Sequence, residues 1–249
     1  MKTVLALLFV LIPAIAMAGE VDDLLSGERA ECRGCDLRNA SFKKADLSGV
    51  DFTGANLEGA SFHRAIIKGA IFAEVKATGA NFNLADASKA DFSGAELRGA
   101  LFFEAQLSGV SFVRADLTNS RMQRARLTGA DLTDAILDAA ALNEVRLNNA
   151  KLLGASLDRT NLDSASLGRS DFAGANLKNV RLVKANAASV SFRSATIALT
   201  DFYGAELTNA AFTGADITDS RFTRARMTAA QLDDAVLARN FLQDGRYQE

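Results

Sequence analysis

The chain has 249 residues, 28 basic and 30 acidic side chains, a formal net charge of −2, one histidine and no tryptophan. A balance this close to neutral provides no concentrated basic face for phosphates, so no nucleic-acid partner is expected. With only Tyr203 and Tyr247 besides its phenylalanines, the chain also lacks the aromatic platforms on which sugars stack.

Met1-Lys2 is followed by an apolar run from Val4 to Ile15, broken only by Pro13, and then by Ala16-Met17-Ala18 before Gly19. A positive start, an apolar stretch and small residues before the junction are the layout of a secretory signal peptide over 1–18, cleaved after Ala18. The expected location is periplasmic or secreted. The run is shorter than the roughly 20 apolar residues that span a bilayer, and no second run occurs later, so the mature chain is expected to carry no transmembrane segment. Gly19 stands where a lipid-anchored protein would need a cysteine.

Residues 19–31 are predicted to cap the regular region that begins at Cys32, with Val21-Asp22-Asp23-Leu24-Leu25 forming a short amphipathic turn of helix. Cys32 and Cys35, the only cysteines, stand as C-R-G-C at the start of that region. In an oxidising compartment a disulfide staple is the leading expectation, with buried free thiols or a redox or metal role as alternatives. A metal would need further ligands, and no second cysteine pair exists, so no metal is expected.

From Ala30 to about Leu237 the sequence repeats every five residues without insertion or deletion. A large apolar residue (Leu37, Phe42, Leu47, Phe52, Leu57, Phe62) stands two places after a small one (Cys35, Ala40, Ala45, Val50, Ala55, Ala60). Five fits neither the 3.6 period of a helix nor the period of 2 of a strand, so the chain must turn within each unit. A small inward residue, an outward one and a large inward one make a short strand, and two residues turn. Glycine gathers at the second turn residue, as in Gly49, Gly54 and Gly59, where a type II turn requires positive φ. Where Glu74, Arg114, Arg124 or Glu144 replaces it, type I geometry is expected.

Four units close a square of 20 residues, and stacked squares make an all-β, right-handed quadrilateral parallel β-helix of about ten coils over 32–237, with a second cap over 238–249. Phe241 and Leu242 are predicted to cover that end. Residues 20 apart should stack, placing Phe42, Phe62, Phe82 and Phe102 on one wall and Phe52, Phe72, Phe92 and Phe112 on the opposite one. Such self-similarity is the mark of a solenoid whose units gain stability only from their neighbours.

The pattern A-[polar]-[L/F]-x-x, obeyed over nearly the whole chain after the leader, resembles the pentapeptide-repeat family. The resemblance implies the right-handed quadrilateral β-helix, since the motif encodes packing and turns, and no cofactor is expected. Some members of the family are DNA mimics that bind gyrase, but these are strongly acidic along the rod and cytoplasmic, whereas the charges here are mixed and a leader is present.

The outward positions hold the remaining candidates. Asp or Asn recurs there, as in Asp46, Asp51, Asn56, Asn81, Asp86, Asp91, Asp116 and Asp131, and is read as ladder-compatible polar surface. His63, beside Arg64, is read as a plain surface residue, so no catalytic residue is assigned and no enzyme is expected. Arg121, Arg124 and Arg126 in S-R-M-Q-R-A-R recur 100 residues on as Arg221, Arg224 and Arg226 in S-R-F-T-R-A-R, with Arg146 one coil above Arg126. They are candidate anion-binding residues, and Asp116, Asp131, Asp216 and Glu144 are candidate neutralisers. Leu84, Leu101 and Phe103 put large apolar side chains outward on one corner, with Ile66 and Ile71 nearby in sequence, as an interface would. The leading expectation is a non-enzymatic exported scaffold for a protein partner, a second copy of the chain included. A target mimic like the gyrase-binding proteins and an envelope-polymer binding or processing protein are the alternatives.

Overall fold

The computed structural model describes residues 14–248. The first 13 residues of the expected leader lie outside that range. Parallel pairing joins each outward residue to the one 20 places on, from Glu31↔Asp51 to Arg221↔Phe241. In one wall the pairing lengthens into four three-residue strands: β1 (Asn176–Lys178), β2 (Thr196–Ala198), β3 (Asp216–Thr218) and β4 (Val236–Ala238), stacked in that order. The result is a β-helix solenoid.

The unit Asn56–Ala60 shows how the sequence builds it. The N–H groups of Leu57 and Gly59 donate to the carbonyls of Lys76 and Thr78 in the next coil, at 2.6 and 3.1 Å. Asn56 N–H donates to Cys35 O in the coil before, at 2.8 Å, and Ala60 N–H closes the turn on Leu57 O at 2.9 Å. The fifth N–H, that of Glu58, is taken by the side-chain Oδ1 of Asn56 at 3.1 Å. Every donor of the unit is therefore satisfied, as buried backbone requires.

The type I expectation at the non-glycine turns fails. Glu74, Arg114, Arg124 and Glu144 have φ of 56°, 58°, 59° and 61°, and the second turn residue has positive φ in every unit from Gly34 to Arg239. Stacking is the cause. The N–H of that residue must donate to the next coil, as Glu74 N does to Ser93 O at 2.9 Å and Arg114 N to Thr133 O at 3.0 Å. A type I turn would aim it elsewhere and break register with the turns above and below, so the ladder fixes the peptide whatever the side chain. Left-handed backbone costs a non-glycine residue about 1–2 kcal/mol, and glycine's extra entropy loss returns about 0.5–1 of that. Ala139→Gly (φ 56° in the wild type) is therefore expected to stabilise the rod by about 0.5–1 kcal/mol in a urea melt, reversing the usual sign of that exchange.

Inside, phenylalanines form two files. Phe42, Phe62, Phe82 and Phe102 stack with successive centroids 4.9 Å apart, and Phe52, Phe72, Phe92 and Phe112 do so at 4.6–5.2 Å. These distances match the spacing of paired strands. The files meet edge to face in the middle, with Phe62 and Phe72 at 5.4 Å and 89°. Ala77 and Ala87, both fully buried, supply the room that the rings take up, and from Leu127 to Leu167 every central position is leucine.

At the start, helix α1 (Ala14–Ser26) buries Leu24, packs Val21 on the core and leaves Leu25 exposed. Its Glu20 carboxylate meets Arg29 at 3.3 Å. Residues 14–18 of the expected leader are helical here. At the far end β5 (Asn240–Phe241) and β6 (Tyr247–Gln248) form an antiparallel pair. Leu242 lines an apolar recess of about 110 Å³ with Phe222 and Met227. Phe241 does not cover the end as expected. It stacks above Arg221 in the outward file, so its ring is 46% exposed and lies 5.2 Å from Tyr247.

Candidate binding surface

The recurring outward Asp and Asn residues serve the backbone. Asp51 Oδ1 accepts from Thr53 N–H at 2.9 Å and its hydroxyl at 2.5 Å, Asp91 likewise from Ser93, and Asn81 and Asp171 from the N–H two residues on. Each fills the one donor that the ladders leave free, which is the physical reason for the pattern. Hydrogen bonds from the Ser48 and Thr53 hydroxyls hold Asp46 and Asp51 below the usual carboxylate range. At Asp116 burial pushes upward as the largest single influence, yet bonds from Thr118 and Arg98 together outweigh it.

A carboxyl whose folded pKa lies below its unfolded value stabilises the fold above the unfolded value, about 3.9, and loses that contribution as pH falls through the folded value. The rod is thus expected to soften below about pH 4. Asp116→Asn should keep the cap and lose part of this acid sensitivity, whereas Asp116→Ala should also cost about 0.5–1.5 kcal/mol at neutral pH. Melting curves at pH 7 and pH 3 separate the two.

His63 makes no side-chain hydrogen bond among the described residues, and its carbonyl accepts from Lys44 N–H at 3.0 Å. The Cys32 and Cys35 sulfurs are 2.04 Å apart, joined as a disulfide in the buried first coil. The Glu20 carboxylate is the third group of that cluster, within 4.8 Å.

Two shallow depressions flank one corner of the rod. The first, about 450 Å³, is lined by Asn83, Leu101, Phe103, Arg121 and their neighbours; the second, about 400 Å³, by Leu84, Gln106, Arg126 and Arg146. They share Arg124 and Glu144, which form the ridge between them. Leu101 and Phe103 meet Arg121 because the ladder runs Asn81–Leu101–Arg121. Phe103 N–H is held by Asn83 Oδ1 at 2.7 Å, and its ring is 38% exposed. Ile66 belongs to the file Asp46–Ile66–Asp86–Gln106–Arg126–Arg146, on the same corner, whereas Ile71 pairs with Asp51 and Asp91 on a different wall.

The two arginine clusters differ. Arg221 grips Asp201 through Nε and Nη2 at 2.8 and 2.5 Å, and Arg226 reaches Glu206 at 3.2 Å. The guanidinium carbons of Arg221 and Arg224 lie 4.9 and 5.6 Å from the centre of the Tyr203 ring. In the other cluster Arg124 is held by Glu144 at 2.9 Å and Glu104 at 3.7 Å. Arg121, Arg126 and Arg146 have no carboxylate within 4.0 Å among the described residues. Of the expected neutralisers only Glu144 acts as one. Asp116 pairs with Arg98 and Asp131 with Lys151, on other walls, because chain neighbours five residues apart face different ways.

The period and the ladders agree with an independent comparison. A family model described as pentapeptide repeats matches the chain in eight copies, with segments 30–69, 68–102, 100–138, 140–179, 170–209 and 200–239. The chain belongs to the pentapeptide-repeat family. Among solved structures it is similar to HetL of the cyanobacterium Nostoc sp. strain PCC 7120, a pentapeptide repeat protein involved in heterocyst differentiation regulation. The two are 26% identical over 92% of this chain and 98% of HetL, with a TM-score of 0.46. It is also similar to QnrB1, a plasmid-mediated fluoroquinolone resistance protein, at 21% identity over 61% of this chain and 79% of QnrB1, with a TM-score of 0.58. A thylakoid-lumen pentapeptide repeat protein of Arabidopsis thaliana is 31% identical over 45% of this chain and 71% of its own, with a TM-score of 0.32. No curated protein matches the chain. No helix among the described residues is long and apolar enough to cross a membrane.

Proposed function

We propose that this chain is an exported, non-enzymatic scaffold, a right-handed rod of about ten coils that holds a protein partner on its outer surface. The observation that carries this reading is the exposed Phe103 beside the half-buried, outward Leu84 and Leu101, on a rod whose outward positions are mostly polar. Large apolar side chains gathered outward on a rigid ladder serve contact with another surface. Export is supported by the layout of residues 1–18 and by the Cys32–Cys35 bond, which persists in oxidising compartments. Polymer processing would call for carboxyls raised towards neutrality in a cleft, whereas the shifted carboxyls among the described residues are all held down. The resistance role of QnrB1 belongs to that protein, with which this chain shares the fold.

Two measurements test the reading. A photoreactive phenylalanine analogue at 103, compared with one at 191 on another wall, should give a discrete cross-linked adduct in the native cells only at 103. An adduct of twice the chain mass would mark a second copy as the partner, and no adduct at either position would sink the scaffold reading. Intact mass should show a chain starting at Gly19 whose cysteines take a thiol label only after reduction. A full-length chain with freely labelled cysteines would overturn export and bring a cytoplasmic target mimic forward.

A further inference from the structure

The molecule contains its own control for the arginine cluster. S-R-M-Q-R-A-R and S-R-F-T-R-A-R occupy the same files of the rod, and the residue one coil below each arginine can be compared directly. Beneath Arg221 and Arg226 stand Asp201 and Glu206, and both are engaged. Beneath Arg121 and Arg126 stand Leu101 and Gln106. The local sequence that presents the arginines is the same, but beneath Arg121 and Arg126 the countercharge is missing, and the carboxylates of that cluster, Glu104 and Glu144, serve Arg124. Arg146 then pairs directly with Arg126 along the ladder, setting like charges on adjacent rungs, an arrangement that destabilises a sheet. A bound carboxylate between them would relieve it.

We infer that this corner, from Leu101 and Phe103 across to Arg126 and Arg146, takes an acidic segment of a partner protein, seating carboxylates on Arg121, Arg126 and Arg146 and an apolar side chain against Leu101 and Phe103. This deepens the scaffold reading and rests on it. Charge complementarity selects the occupant. The corner presents four arginines against Glu104 and Glu144, and those two glutamates are consumed by Arg124. Arg124 is thereby fixed as the ridge, and the free arginines lie on either side of it. A segment that crosses the ridge meets a guanidinium beside an apolar floor in one depression and stacked guanidiniums in the other. A dense polyanion would gain nothing from the apolar floor of Leu101 and Phe103. A plain apolar segment would leave the arginines without partners. Backbone pairing contributes little, because the N–H groups of the adjoining rungs are already spent within the rod.

The probe is a fluorescent peptide alternating glutamate with phenylalanine and leucine, titrated against the full chain by anisotropy. Binding should weaken with added salt. It should fall at least about tenfold in Arg126→Gln/Arg146→Gln, since a charge-assisted hydrogen bond contributes about 1.5–3 kcal/mol. Phe103→Ser should weaken it too, and Arg221→Gln/Arg226→Gln should leave it unchanged. On the wild-type chain, peptides with glutamine for glutamate or serine for the apolar residues should each bind worse. This peptide comparison holds even if a variant fails to fold. Absence of binding, equal loss from both arginine pairs, or equal binding of polyphosphate would overturn the inference. A position-103 adduct in cells alongside no peptide binding would leave the scaffold reading standing while this inference falls.

Discussion

Phe82→Ala is expected to lower the stability of the rod by about 3–5 kcal/mol, read as a large drop in melting temperature. Phe82 is fully buried, stacked 4.9 Å from both Phe62 and Phe102, and edge-on to Phe72 and Phe92 at 5.8 and 5.4 Å. Removing the ring takes one contact surface from each of four others. The side chains around it cannot close the gap, because the nearest central positions in the chain, Ala77 and Ala87, are already small and fully buried. The backbone cannot collapse either, since each coil is held at the ladder spacing by its neighbours. Phe103→Ser, one residue from the next ring in the file but outward and 38% exposed, should change stability by only about 0.5 kcal/mol. The contrast tests the inward–outward register itself, and an unchanged melting temperature in Phe82→Ala would show that register to be wrong.

The fold was legible because a period of five admits few backbones, and because the small and large inward positions are filled almost without exception. The turns were less so. Glutamate or arginine at the second turn position suggests type I when one turn is considered alone, but Glu74 and Arg114 adopt positive φ because the neighbouring coils require that peptide orientation. The outward Asp and Asn residues were visible as a pattern. Their task was not, because the donor they satisfy emerges only when every N–H of a unit is accounted for, as in Asn56–Ala60. The surface lies between these cases. Chain neighbours are mostly the wrong place to seek neutralisers, as Asp116 and Asp131 show. Subtracting 20 from the first and last arginine of each cluster finds Asp201 and Glu206 under one and Leu101 and Gln106 under the other. The same arithmetic governs Phe241: an apolar ring near the chain's end suggests a cap, but the register places it outward.

The same accounting of donors predicts where proline can enter a chain whose only proline is Pro13. Ser191→Pro should cost about 2–3 kcal/mol, although the residue is only half-buried. Its N–H donates to Ser170 O at 3.0 Å in the coil below, and the substitution removes that donor and presses the ring against the lower rung. The loss should spread, because adjacent coils supply each other's stability, and the melt should broaden as well as shift. Val113→Pro should be nearly neutral. Val113 is the first turn residue between Phe112 and Arg114, and its N–H makes no backbone bond, while Ala115 N–H closes the turn on Phe112 O at 3.0 Å. With Arg114 at φ 58° the turn is type II, whose first central position suits proline's fixed φ, and the extended residue before it is what proline tolerates. Equal losses in the two variants would show that proline is excluded by crowding between coils, and a loss confined to Ser191→Pro would show that the ladder's need for donors excludes it.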